Sequence, residues 1–176
     1  MMALVINHET ILKTLRRITH EILEKTENLD CVLLIGIKNK GVPIAKIIQE
    51  NINIYSGIAV PMVELDISQH RDDDKKREVR PVKIDVDGKI CILIDDVLYT
   101  GRTVRAAMDA LIEFGRPNKI ELVVLIDRGH REIPIRADYV GKNIPTAKDE
   151  IVKVQMTGSD AGVYIEKKGT QDGKII

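Results

Sequence analysis

Neither sign of charge is in excess in this sequence: 27 lysines and arginines stand against 27 aspartates and glutamates, for a formal net charge of zero. A chain so balanced has no global field to draw in nucleic acid or an acidic membrane, so any polyanion must meet a local basic patch. Cysteine is scarce, with only Cys31 and Cys91. Both lie in apolar runs without metal-ligand spacing, which excludes a disulfide framework and a zinc site and reads as two buried thiols in a reducing compartment. No apolar run approaches bilayer length, and Met1–Ile6 lacks the basic start and apolar stretch of a secretory signal. A soluble cytoplasmic protein with no membrane contact is therefore expected. Internal repeats and low-complexity linkers are missing too, and so is any Gly-x-Gly-x-x-Gly. Gly36 and Gly41 have Walker A spacing, but Val42-Pro43 replaces the Lys-Ser/Thr that such a loop needs.

What is present suits one globular domain: 176 residues, 44% hydrophobic and 31% charged, enough apolar material for a core. The expected division is a single domain over 1–168 and a frayed tail over 169–176, where core-forming residues are few before the last two. Residues 10–25 place Ile11, Leu15, Ile18 and Ile22 on one face at helical period, against Lys13, Arg17, His20 and Glu24 on the other. Cys31–Ile35 and Lys89–Ile94 are short continuous apolar runs of the kind found in strands covered on both faces. Ile120–Ile126 is a third, with helical stretches at about 42–51 and 103–114 and an apolar segment over 58–65. Gly115-Arg116-Pro117 supplies a helix stop. Short strands are expected at Tyr139-Val140, 151–154 and 163–165. This order implies an α/β fold, a mainly parallel twisted sheet flanked by helices on both faces.

The segment Ile92-Leu-Ile-Asp95-Asp96-Val-Leu-Tyr99-Thr100-Gly101-Arg102-Thr103 joins a buried strand to a helix N-terminus, where ligands bind in open α/β sheets. Thr100, Gly101 and Thr103 offer hydroxyls and approachable backbone N–H groups at the positive end of a helix, suited to a phosphate monoester. Two carboxylates beside that phosphate would repel it. Asp95 and Asp96 are better read as acceptors for the hydroxyls of a sugar diol, or as contacts to a hydrated Mg²⁺. Ending a strand or capping a helix needs only one such residue and leaves the rest unexplained. A second loop, Gly36-Ile-Lys38-Asn39-Lys40-Gly41, also follows a strand and opens a helix, and can hold a further anion.

The first motif resembles the phosphoribosyl-pyrophosphate (PRPP) signature of type I phosphoribosyltransferases, and the second their pyrophosphate loop. Relatives usually carry Thr-Arg where this chain has Asn39-Lys40, and a lysine lacks the bidentate fork of arginine. The charged run His70–Arg77 resembles the flexible hairpin loop of these enzymes, with Arg71 and Asp72 as the matching pair, in a shortened form. A charge run is otherwise an ordinary solvated loop. The stretches 96–105 and 126–146 are similar almost residue for residue to the PyrR family of bifunctional pyrimidine-operon attenuation regulators and uracil phosphoribosyltransferases, a likeness extending over about 11–164.

That resemblance implies a fold with a small hood and two activities. One converts uracil and PRPP to UMP and pyrophosphate with Mg²⁺, carried by PRPP, with Asp95 and Asp96 as candidate contacts to the ion. The other binds the leader mRNA of pyrimidine genes under control of UMP or UTP. It further implies that Asp95, Asp96, Arg71 and Asp72 serve catalysis, that Tyr99–Thr103 and Lys38–Gly41 bind substrate phosphates, and that Ile126, Asp127 and Arg128 face the pyrimidine. No residue presents itself as an obligatory general base. Arg17, His20 and Lys25, with His130, Arg131, Arg136 and Lys142, match the RNA surface of the family, and a homodimer or dimer of dimers would repeat that patch. Each of those side chains alone is more often merely solvated. Two other readings stand beside this one: a regulator whose nucleotide site only senses UMP or UTP, and a transferase for purine bases, which would leave the 126–146 likeness unaccounted for.

Overall fold

The computed structural model describes residues 2–71 and 83–169. Asp72 and the rest of the expected hairpin loop to Arg77, residues 78–82, and residues 170–176 of the expected tail lie outside these. The elements in chain order are β1 (Met2–Asn7), α1 (His8–Lys25), β2 (Val32–Ile37), α2 (Gly41–Ser56), β3 (Met62–Leu65), β4 (Ile90–Leu98), α3 (Arg102–Glu113), β5 (Lys119–Asp127), β6 (Tyr139–Asn143), β7 (Glu150–Gln155) and β8 (Gly162–Lys167). Strands β3-β2-β4-β5-β6 form a five-stranded parallel sheet. A separate antiparallel sheet, ordered β1-β8-β7, makes the hood.

The continuous apolar runs become the inner strands because both faces of the sheet are covered. Along β4, Ile92 and Ile94 join a core with Ile11, Leu15, Ile18 and Ile22 of α1 and Ile44, Ile48 and Ile52 of α2. Cys91 and Leu93 alternate to the opposite face and pack with Val104, Ala107 and Leu111 of α3. Hood residues Ile6, Val152, Val154 and Val163 enter the first of these cores. Helix α1 begins two residues earlier than its apolar stripe suggests, because the Asn7 side chain accepts a hydrogen bond from the Thr10 N–H at 2.9 Å and caps the first turn.

Several sequence expectations change. β4 runs on through Asp95 and Asp96 to Leu98 instead of stopping at the acids, since its ladder with β5 continues past them to Asp127. Helix α2 extends to Ser56, ended by Gly57 in the left-handed conformation, so the 58–65 segment yields only the four residues of β3. Cys31 belongs to a 3-10 turn, Leu29–Cys31, and is half-buried, whereas Cys91 is fully buried. Strand β1 was not expected at all: its partner β8 lies at the far end of the chain. Among the described residues no helix is long and apolar enough to cross a membrane.

Candidate active site and basic face

Parallel strands deliver their carboxyl ends to one edge of the sheet, and the loops that follow β2, β4 and β5 meet there. Asp95 is 6% exposed and Asp96 half-buried at the end of β4. Their carboxylates are turned onto the backbone: Asp95 Oδ1 accepts from the Asp96 N–H at 2.9 Å, and Asp96 Oδ1 from the Val97 N–H at 2.7 Å. Burial, and then the adjacent Asp96 charge, push the Asp95 carboxyl well above its ordinary range, with the Arg71 charge acting the other way. Burial also raises Asp96, against the Val97 N–H and the Lys40 charge. Two acids held in this way share their negative charge reluctantly until a cation or a hydroxyl donor arrives.

The turn after β4 lines a cavity of about 410 Å³ bounded by Val97–Val104 and Arg71. Gly101 has φ 93° and forms the N-cap of α3, a conformation that favours glycine and brings the helix amides to the cavity. Thr100 Oγ1 accepts from the Arg102 N–H at 3.3 Å. From the other side, the Thr100 carbonyl accepts the N–H groups of Glu132 and Ile133 at 2.9 and 3.2 Å, and Arg131 Nη1 donates to the Tyr99 carbonyl at 2.8 Å. At the cavity mouth Arg102 pairs with Glu132 at 2.8 Å. Thr103 opens the first turn of α3.

The Lys38–Gly41 loop lies against the same strand end, and the Lys38–Asn39 peptide is cis. Lys38 pairs with Glu64 at 3.7 Å, and Lys40 Nζ donates to the Val154 carbonyl of the hood at 3.4 Å. Asn39 is exposed and Gly41 buried.

Of the residues expected at the pyrimidine, Ile126 is wholly buried in the core. Asp127 accepts from the Gly129 N–H and pairs with Arg131. Arg128 sends its Nε to Thr146 Oγ1 and its Nη2 to the carbonyls of Ala147 and Glu150, and its Cζ stands 4.0 Å from the centroid of the Tyr99 ring. The bracing by Thr146, Glu132 and Ile133 escaped sequence reasoning, because the partners are mostly main-chain groups, which every residue carries.

Of the residues expected on the RNA surface, Arg17 and Lys25 of α1 reach β6, while His20 lies against α2 and His130, Arg131 and Arg136 belong to the segment after β5. Arg17 Nη2 donates to the carbonyls of Val140 and Gly141 at 3.1 and 2.6 Å, and its Nη1 pairs with Glu21. Lys25 Nζ sits 4.8 Å from the centre of the Tyr139 ring, and His20 is tilted against Tyr55 at 4.4 Å. Lys142 and Arg136 are exposed, and His130, with φ 64°, contacts the Thr146 carbonyl. Arg128, Arg131, Arg136 and Asn143 help to line a second cavity of about 610 Å³.

Residues 5–161 match the phosphoribosyl transferase domain. A pyrimidine operon regulatory protein of Lactococcus lactis is 52% identical over 157 residues, 89% of this chain and 91% of the relative. A bifunctional protein PyrR of Haemophilus influenzae is 49% identical over 170 residues, 92% of this chain and 94% of the relative. The chain belongs to the phosphoribosyltransferase family, within its PyrR group. Among solved structures, a hypoxanthine phosphoribosyltransferase of Trypanosoma cruzi in complex with IMP matches this phosphoribosyltransferase with a TM-score of 0.70 at 20% identity, covering 85% of this chain and 82% of that one. That likeness bears on the fold alone and agrees with a five-stranded parallel sheet flanked by helices.

Proposed function

We propose that this phosphoribosyltransferase converts uracil and PRPP to UMP and pyrophosphate, and that it binds pyrimidine-gene leader mRNA as an attenuation regulator responsive to UMP or UTP. The observation that carries the catalytic reading is the meeting, at one sheet edge, of a buried and a half-buried acid, a helix N-terminus opening on a cavity of about 410 Å³, and a second loop beside the acids. In this reading Thr100–Thr103 hold the 5-phosphate, Asp95 and Asp96 receive the ribose hydroxyls, and Lys38–Gly41 with Arg71 face the pyrophosphate. Departure of pyrophosphate leaves oxocarbenium character on the ribose, and charged groups fixed in advance around it lower that barrier more than flexible ones would.

Mg²⁺ goes with PRPP in this family. The described residues contain no cluster of three or more side chains able to cage a metal, which fits an ion brought by substrate phosphates and met by one or two carboxylates. Asp95 and Asp96 supply such hard oxygen donors, and the ion would supply neutralisation of the leaving charge.

The regulatory reading is supported by α1 meeting β6 through Arg17 and Lys25, on the strand that carries the exposed Lys142, and by Arg131 and Arg136 lining the second cavity. A patch of this kind gives a neutral protein its local site for a polyanion. A homodimer, or a dimer of dimers, doubles the patch, and the cytoplasm is the compartment that holds both substrates. The sensor-only reading draws on one observation: Lys40, where relatives have arginine, donates to the Val154 carbonyl and not to an open loop.

Labelled uracil, PRPP and Mg²⁺ mixed with the purified chain should yield labelled UMP, and a leader-RNA gel shift should strengthen when UMP is added. Absence of UMP formation with an intact shift favours the sensor. Absence of both refutes the proposal.

A further inference from the structure

Arg128 is a buried cation whose hydrogen-bond acceptors among the described residues include no carboxylate. Its residue is 6% exposed, and its donors go to a hydroxyl and two carbonyls: Thr146 Oγ1 at 2.9 Å, Ala147 O at 3.2 Å and Glu150 O at 2.8 Å. Burying a guanidinium in this manner is costly unless its donors are well satisfied, so the arrangement calls for a use. The other contacts of the residue point to one. Its own N–H donates to the Leu98 carbonyl at 3.1 Å, and its guanidinium carbon lies 4.0 Å from the Tyr99 ring centroid. Arg128 therefore grips the chain on both sides of the Leu98–Tyr99 bond while holding the Thr146–Glu150 segment that leads into the hood.

The turn it grips has need of this. Tyr99 is exposed, Gly101 carries the backbone freedom of glycine, and the next residues form the phosphate cavity. A cradle that is loose before binding spends affinity on being ordered. We infer that Arg128 is a positioning residue: through Tyr99 it locks the Thr100–Thr103 cradle to the hood segment before PRPP arrives. This deepens the transferase reading and rests on it, and it assigns Arg128 to the PRPP side of the reaction. Lysine keeps the charge but not the planar fork or the flat face that stacks on a ring.

The test is calorimetric titration of PRPP with Mg²⁺ into the wild type, Arg128→Lys, Tyr99→Leu and the double variant, alongside KM for PRPP and for uracil from UMP formation. Each single change is expected to weaken PRPP by about three- to fivefold, as loss of a cation–π contact to an exposed ring would. The double variant should be no weaker than either single one within about twofold, because the two residues act as a unit. Tyr99→Phe should recover most of what Tyr99→Leu loses, since the ring is what Arg128 touches. Additive losses, or an effect that falls on uracil and spares PRPP, overturn the inference. If Arg128→Lys fails to fold, the exposed Tyr99 still decides the matter: equal PRPP affinity in Tyr99→Leu and Tyr99→Phe overturns it. A wild type that binds PRPP without forming UMP refutes the uracil-transferase reading and leaves this comparison intact, while one that binds no PRPP overturns both.

Discussion

Gly41 lies so close to Ile94 that a Cβ built on it would stand 2.0 Å from the Ile94 carbonyl oxygen, and 3.2 Å from the Asp95 Cα. The pyrophosphate-type loop is thus seated on the end of β4 immediately beside the paired acids, and only the absence of a side chain permits it. Gly41→Ala forces backbone away from backbone. The expected cost is about 1–3 kcal/mol of stability, as for other overpacked interior sites, with UMP formation reduced more than stability. Urea unfolding and a rate assay on the same preparation check this, and an unperturbed variant would show that the two loops are not coupled in this way.

Asp95→Asn should separate stability from activity. The folded chain holds a proton on the buried acid pair more tightly than the unfolded chain does. Stability from this pair is therefore full below the ordinary carboxylate range and is lost as pH rises toward the raised folded-state value. An asparagine keeps the acceptor for the Asp96 N–H and removes the loss. At neutral pH Asp95→Asn is expected to melt roughly 2–4 °C higher, about 1 kcal/mol for a chain of this size. Near pH 4 the gap should shrink. UMP formation should drop by about two orders of magnitude or more, the scale for losing a preorganised polar contact to the transition state. A variant that melts lower at neutral pH, or keeps its rate, contradicts the assignment of the pair.

Arg17 has two expected roles, and they can be told apart. Its guanidinium ties α1 to the Val140 and Gly141 carbonyls on the edge strand β6, but it is half-exposed, so Arg17→Ala should cost only about 1 kcal/mol in urea unfolding. His20 is exposed and lies against the Tyr55 ring, and His20→Ala should stay within about 0.5 kcal/mol of the wild type. Both should weaken leader RNA in a gel shift. Weakening by Arg17→Ala alone would mean that α1 matters for support and not for contact.

Arg136→Ala gives a cleaner test of the late segment than Arg131→Ala. Arg136 is exposed, whereas Arg131 donates to the carbonyls of Tyr99 and Ile135 and pairs with Asp127. Arg136→Ala should weaken RNA and flatten the salt dependence of binding by about one phosphate contact, with PRPP affinity unchanged. Arg131→Ala should also weaken PRPP, because it releases the cradle at Tyr99. Equal effects of the two on PRPP would remove the cradle role from Arg131.

The inner strands and the turn between β4 and α3 were legible because each is written in contiguous residues. Lys89–Ile94 is apolar throughout because both faces of β4 are covered, and the Asp-Asp and Thr-Gly-x-Thr elements sit within one short segment whose chemistry is local. Strand β1 was not legible. Met2, Leu4 and Val5 remain exposed, so no burial pattern marks them, and what makes them a strand is hydrogen bonding to β8 across nearly the whole chain.

By itself the amino-acid order determined the parallel α/β plan, the acids and the hydroxyl-rich turn, since periodicity and short-range spacing are properties of neighbours in the chain. Tertiary structure alone decided that Arg128 lies over Tyr99, that Arg131 holds the Tyr99 carbonyl, and that Lys40 reaches Val154. The physical reason is that a buried cation must find acceptors wherever the fold brings them, and carbonyl oxygens and ring faces are available at too many positions for any pattern of side chains to name the partner in advance.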